Sequence, residues 1–193
     1  MTLEDRRARD RAERHQLIIS TARRLAEAEG WDAVTTRRLS TEIEYSQPVL
    51  YKHFSGMQDI AAAAALEGFA ELGEVLAKAR SGRGAPRAVL KRVVHAYIDF
   101  AEENPALYDA MFTRATTLRF ADADTPPQLT TAFGQLRDAV SAVATGQDVD
   151  TLSEVFWAGL HGLVTLARGG RLRAGHDSAR VERLVDKFCG PTR

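Results

Sequence analysis

The 193-residue chain is 45% hydrophobic and 27% charged, an ordinary globular composition with room for one large or two small cored domains. Lys plus Arg and Asp plus Glu stand at 26 each, so no global positive field announces nucleic acid, whose phosphates normally supply much of the affinity. One cysteine, Cys189, excludes an intrachain disulfide and a cysteine cluster for zinc and reads as a semi-buried bystander. The charged first residues lack the apolar core of a signal peptide, and the longest apolar run, 60–66, is too short for a bilayer. The expected location is cytoplasmic, with no membrane partner.

Residues 1–15 mix Arg6, Arg7, Arg9, Arg11 and Arg14 with Glu4, Asp5, Asp10 and Glu13. This alternation predicts a solvated helix extension rather than a flexible basic arm. From about His15, Ile18, Ala22, Leu25 and Ala26 mark an amphipathic helix ending at Gly30, followed by Trp31 and Val34. Thr35 can cap the next helix, where Leu39 and Ile43 form an apolar face. Ser46 can cap a third, with Pro48 tolerated in its first turn. Only Val49, Leu50 and Phe54 are strongly apolar in that third helix, leaving Gln47, Tyr51, Lys52 and His53 outward. A short helix displaying an amide, a phenol, an ammonium and an imidazole beside a supporting helix is what major-groove reading requires. The stretch 35–54 reads as a helix-turn-helix.

Ser55 and Gly56 break this helix, and an Ala- and Leu-rich helix over 57–80 leaves the head. Residues 81–86 hold two glycines and a proline, a loop and candidate boundary. A helix over 88–103 carries Val94, Ile98 and Ala101. Asn104-Pro105 then signals an N-cap and a first helical proline, starting a helix to about Thr116. After an acidic, proline-rich loop at 120–127, a helix to about Val143 places Leu129, Phe133, Leu136 and Val140 on one face. The segment 150–168 has two stripes: Leu152, Phe156, Leu160, Leu163 and Ala167, then Val155, Gly159, Gly162 and Leu166. A helix apolar over most of its circumference is buried on more than one side. Gly169-Gly170 stop it, and 179–188 form a last helix with Val181, Leu184, Val185 and Phe188 inward. The residues alone leave open whether the 150–168 helix is the core of a monomer or part of a dimer interface. No convincing strand, internal repeat or low-complexity linker is present, and the expected class is all-α.

The order Thr-Thr-Arg-x-Leu at 35–39 and Gln-Pro-x-Leu-Tyr-x-His at 47–53, inside an N-terminal three-helix head with an all-helical remainder, resembles the tetracycline-repressor (TetR) family. Farther on, Asn104-Pro-Ala-Leu-Tyr-x-x-Met-Phe and Trp157-x-Gly-Leu-His161-Gly recur in one branch of that family. The resemblance implies a helix-turn-helix DNA-binding head (1–56) joined by a long helix to a helical effector-binding and dimerisation domain (57–193). It further implies a homodimer through the last two helices, a palindromic double-stranded DNA operator, and repression relieved by a small apolar or aromatic effector.

Gln47 can address adenine N6 and N7, and Arg37 guanine O6 and N7, as tetracycline repressors use the corresponding pair. Pro48 and Val49 can meet a thymine methyl. Thr36, Ser46, Tyr51, Lys52 and His53 are assigned to phosphates, and the capping Thr35 is counted among the DNA-binding residues. His53 can equally cap the end of its helix if protonated. Two residues depart from the pattern. Glu44 stands where the family usually has glycine, which costs about 1–2 kcal/mol if the backbone there is left-handed. Met57 replaces a lysine that commonly touches phosphate, an expected loss of roughly one unit of salt slope.

The expected effector contacts are His95, Tyr108, Met111, Phe112, Phe133, Trp157 and His161. Of these, Trp157 and His161 lie one helical turn apart and offer a stacking face and a hydrogen bond. The chain has no G-x-S-x-G, no glycine-rich phosphate loop and no metal-ligand spacing. No enzyme, cofactor or metal is expected. Glu44, Met57 and the neutral charge leave one alternative, a helical small-molecule-binding protein with a degenerate head. Retained Arg37, Gln47 and Tyr51 argue against it.

Overall fold

The first helix begins where its sequence can cap it. Thr2 Oγ1 accepts from the Asp5 amide at 3.1 Å, and the Asp5 carboxylate accepts from the Thr2 amide at 2.8 Å. This reciprocal capping box starts α1 (Leu3–Glu29), so the mixed-charge segment is helical as the alternation predicts. The structure, a computed structural model, describes residues 2–114, 118–120 and 122–189. Among these, α1 is followed by α2 (Thr36–Glu42), α3 (Gln47–Tyr51), α4 (Met57–Ser81), α5 (Pro86–Glu103), α6 (Pro105–Asp109), α7 (Pro127–Ser141), α8 (Val149–Arg168) and α9 (Asp177–Phe188). Trp31–Ala33 is a 3₁₀ turn and Ala110–Arg114 a π turn. No strand occurs among the described residues, and none of their helices is long and apolar enough to cross a membrane.

The chain divides into two compact units, Met1–Gly68 with Asn104–Pro126 and Phe69–Glu103 with Pro127–Arg193. In the first unit Ile18, Ala22, Leu25, Leu39, Leu50, Ile60, Leu107, Tyr108 and Met111 are all buried. Gly68 allows α4 to approach α6, because a Cβ there would lie 2.7 Å from Met111 Sδ and 3.0 Å from Leu107. Asn104 occupies the N-cap of α6, but its side chain makes no capping bond. Glu27 of α1 supplies the acceptor instead, its carboxylate taking the Ala106 amide at 3.0 Å and the Leu107 amide at 2.8 Å. The Trp31 indole N–H donates to the Ala106 carbonyl at 2.7 Å in a buried bond. The expected helix from Pro105 is unbroken through Arg114, passing from α to π geometry after Asp109, and its expected end at Thr116 lies outside the described residues.

In the second unit α5 packs on α7, α8 and α9, and α7 packs extensively on α8. Its core includes Leu90, Val93, Tyr97, Leu136, Val140, Phe156, Leu160 and Val185. Salt bridges from Arg87 to Glu182 (2.8 Å) and Asp186 (2.6 Å), with Lys91 also on Glu182, join α5 to α9. The inward face of α8 is Ser153, Phe156, Leu160 and Val164. This corrects the first stripe, since Leu152 and Leu163 are half-buried and Ala167 is exposed. The second stripe points elsewhere, with Val155 56% and Leu166 42% exposed. Gly159 lies 3.1 Å (from an ideal Cβ) from Leu184 of α9. Val181 and Val185 of α9 are buried, and Phe188 meets Phe156 edge-on at 4.8 Å.

Because Glu27 accepts from two amides at the start of α6, Glu27→Ala should lower the unfolding free energy by about 1–2 kcal/mol, read as a reduced midpoint in urea denaturation.

Candidate nucleic-acid interface and aromatic cluster

Thr35 caps α2 as its sequence predicts, its hydroxyl accepting from the Arg38 amide at 3.1 Å. The helix ends in a Schellman arrangement: the Tyr45 amide reaches the Ser40 carbonyl at 3.0 Å and the Glu44 amide the Thr41 carbonyl at 3.4 Å. Glu44 therefore sits at the left-handed position, φ 56°, the only non-glycine with positive φ among the described residues. Ser46 occupies the N-cap of α3 without a side-chain bond, which corrects the expected cap. Pro48 has no amide to give, and the Val49 amide goes to the Ser46 carbonyl at 2.9 Å. The Ser46 side chain is left at the surface.

Leu50 is buried and seats α3, while Gln47, Pro48, Tyr51 and Lys52 are exposed and Val49 is half-buried. On α2 Arg37 is exposed and Thr36 half-buried. Arg38 is engaged with Glu29, one guanidinium nitrogen at 2.6 Å and the second also bonded. That pairing holds the Glu29 carboxyl below its ordinary range and raises the Arg38 guanidinium. Arg24 bonds Glu42 at 2.5 Å. Two ion pairs thus tie α2 to α1, and Arg37 and Gln47 present side chains with five and two donors to solvent.

His53 is half-buried, and its Nδ1 is buried without a hydrogen-bond partner. Burial, then the positive charges of His15, Arg11 and Arg14, push its pKa down. A protonated, dipole-stabilised cap does not fit that environment. His15 stacks on Phe54 at 4.4 Å and lies 6.3 Å from the His53 ring. Arg7, Asp10, Arg11 and Arg14 line an open cleft with Lys52 and His53. The reading of 1–15 as a solvated extension missed this sidedness, although the spacing of 7, 11 and 14 carries the signal. Met57 is half-buried and lines a separate depression with Trp31, Gln58 and Arg114.

In the second unit Trp157 forms the centre of an aromatic cluster. Its indole N–H donates to the Tyr97 hydroxyl at 3.1 Å, Phe133 packs edge-on at 6.2 Å, and His161 lies 6.5 Å away. Burial pushes the His161 pKa down, which favours the neutral ring, a form with one donor and one acceptor. His95 is half-buried on α5. Tyr97 was absent from the sequence-based set; its partner is 60 residues away. Tyr108, Met111 and Phe112 belong to the other unit. Tyr108 and Met111 are buried there, and Tyr108 meets Phe112 at 4.6 Å. No group of three or more His, Cys, Asp or Glu able to hold a metal occurs among the described residues. Burial raises the half-buried Cys189 thiol.

Comparison with known families decides the lineage. A model of the tetracyclin repressor-like C-terminal domain matches residues 90–188, and one of the bacterial regulatory proteins of the tetR family matches 18–64. The chain belongs to the TetR family. It shares 36% identity over 95 residues with the HTH-type transcriptional regulator YobS of Bacillus subtilis, a match covering 49% of each protein. The chain thus aligns with about half the length of that relative. A second relative, the HTH-type transcriptional regulator Rv0681 of Mycobacterium tuberculosis, is 27% identical over 157 residues, 79% of this chain and 69% of its own length. In fold, a Rhodococcus sp. RHA1 protein of unknown function superposes with a TM-score of 0.72 at 24% identity, covering 91% of this chain and 93% of that one. The all-helical fold, with an N-terminal helix-turn-helix and a C-terminal helical domain, is that of TetR regulators.

Glu44 departs from the glycine that the TetR turn usually carries, and its backbone is left-handed. Glu44→Gly should therefore stabilise the head by about 0.5–1 kcal/mol, the relieved strain less the added chain entropy of glycine, measured as a raised thermal midpoint.

Proposed function

We propose that this TetR-family transcriptional regulator is a cytoplasmic repressor that binds a palindromic operator as a homodimer and is released by a small apolar or aromatic molecule. The observation that carries the DNA reading is the exposed pair Arg37 and Gln47, on helices anchored by buried Leu39 and Leu50. Gln47 reads adenine and Arg37 guanine, with Pro48 and Val49 beside a thymine methyl. Thr35, Thr36, Ser46, Tyr51, Lys52 and a neutral His53 position the head on phosphates. The DNA-binding function is assigned to 1–56, and effector binding and dimerisation to 57–193.

The dimer reading is supported by the outward stripe of α8. Val155 and Leu166 are exposed, with Gly162 between them, which suits close approach of a second helix. The effector reading is supported by the Tyr97–Trp157–His161 cluster with Phe133 and His95, which offers stacking faces and neutral hydrogen-bonding groups. Tyr108, Met111 and Phe112 are assigned to the responding element, because α5 runs directly through Asn104 into α6 and the π turn. Reversing a population from mostly DNA-competent to mostly incompetent requires a differential affinity of about 5.5 kcal/mol.

Selection from random duplex DNA at physiological salt should enrich a palindrome. Gln47→Ala should relax preference at one base pair of each half-site by about 1–3 kcal/mol. Enrichment of no site at any salt would instead favour the degenerate head that strained Glu44 suggests. Val155→Glu with Leu166→Glu should shift the mass in sedimentation from twice 21.2 kDa towards 21.2 kDa; an unchanged dimer would sink the α8 assignment.

A further inference from the structure

We propose that Arg7, Arg11 and Arg14 of α1, with Lys52 after α3, form a second DNA-backbone surface that grips phosphates outside the base pairs read by Gln47 and Arg37. The inference rests on the DNA-binding reading and extends it to a part of the chain upstream of the matched head segment, 18–64.

Residues 7, 11, 14 and 18 share one face of a helix at the 3.6-residue period. Ile18 is fully buried, so that face is turned towards the body of the head. The three arginines consequently line the cleft with Lys52 and His53 rather than scattering around the helix. Arg9, on the opposite face, is paired with Glu13 at 3.5 Å. Arg7, Arg11, Arg14 and Lys52 have no ion-pair partner among the described residues, and Asp10 is the one acid lining the cleft.

The partner must be an extended polyanion. Arg7 to Arg14 spans about 10 Å of helix axis, matching the axial rise of about three phosphates on one DNA strand. An isolated phosphate would engage only part of that row. The capping box at Thr2 and Asp5 holds the row in helical register before DNA arrives, so binding does not require ordering a disordered arm. Lys52 continues the same surface to the end of the reading helix. A chain with 26 cations and 26 anions gains its DNA attraction locally, and this cleft is where unpaired cations gather.

The test uses the full chain and its selected duplex, with affinity measured by fluorescence anisotropy from 50 to 200 mM salt. The triple variant Arg7→Gln, Arg11→Gln, Arg14→Gln should reduce the slope of log K against log salt by roughly 2.7 units. Wild-type affinity would then fall roughly 40-fold more than that of the variant across this range, with base preference unchanged. The triple Arg→Lys variant should keep the wild-type slope. Arg11→Gln alone should reduce it by about 0.9, and Arg9→Gln, with the same change in net charge, should not. An unchanged slope in the folded triple variant, with Gln47-dependent binding intact, would overturn this surface alone. If the wild type binds no duplex at any salt, the surface and the underlying reading fall together.

Discussion

The peptide unit of Ala106 uses both of its polar groups on the end of α1 and the turn after it. Its N–H goes to Glu27 and its C=O to Trp31, with the Leu107 N–H on the second Glu27 oxygen. A helix as short as α6 has little intrahelical bonding with which to hold itself, so these three bonds and the burial of Leu107, Tyr108 and Met111 define it. Any movement of α6 must therefore carry the end of α1 along or break bonds that are buried or half-buried. Arg114 at the end of the π turn adds a pair to Asp32 at 2.6 Å, beside Trp31. The head and the α6 segment form one mechanical piece for this reason, within the unit that contains both.

The head was legible from sequence because its determinants are local. Thr35 is three residues from the amide it caps, and Leu39 with Ile43 and Leu50 with Phe54 keep a spacing of four on either side of the turn. Where a local rule failed, a competing partner had taken the group concerned. Asn104 and Ser46 stand at N-caps, but Glu27 serves the amides of α6, and Pro48 with the Ser46 carbonyl leaves the hydroxyl without a donor in α3. Glu27 and Ala106 are 79 residues apart, and no periodicity reaches that far. The same distance effect hid Tyr97, whose hydroxyl is the acceptor for Trp157. For α8 the difficulty was different. A helix apolar on most sides permits several inward faces, and packing against α5 and α7 kept Phe156 and Leu160 inward but turned in Ser153 and Val164 rather than Leu152, Leu163 and Ala167.

Formal neutrality conceals a division among the arginines. Arg23, Arg24, Arg38, Arg87 and Arg114 each hold a carboxylate on another segment. Exposed pairs of this kind contribute roughly 0–1 kcal/mol each, so their effect is chiefly to fix where neighbouring side chains point. Arg38 is the clearest case: held by Glu29, it leaves Arg37 as the guanidinium on the open side of α2. Composition counts both kinds equally. The sidedness of Arg7, Arg11 and Arg14 becomes visible only once α1 is known to be helical from Leu3 and oriented by buried Ile18.

Strain at Glu44 is tolerated because its surroundings over-determine the turn. The two Schellman bonds fix the chain direction after α2, buried Ile43 and Leu50 fix the packing on either side, and together these outweigh about 1–2 kcal/mol of left-handed backbone. The side chain at that position is exposed and makes none of these contacts. The geometry that presents Gln47 is therefore set by the backbone bonds and the core beneath them. A glycine there would relax the turn without redirecting it.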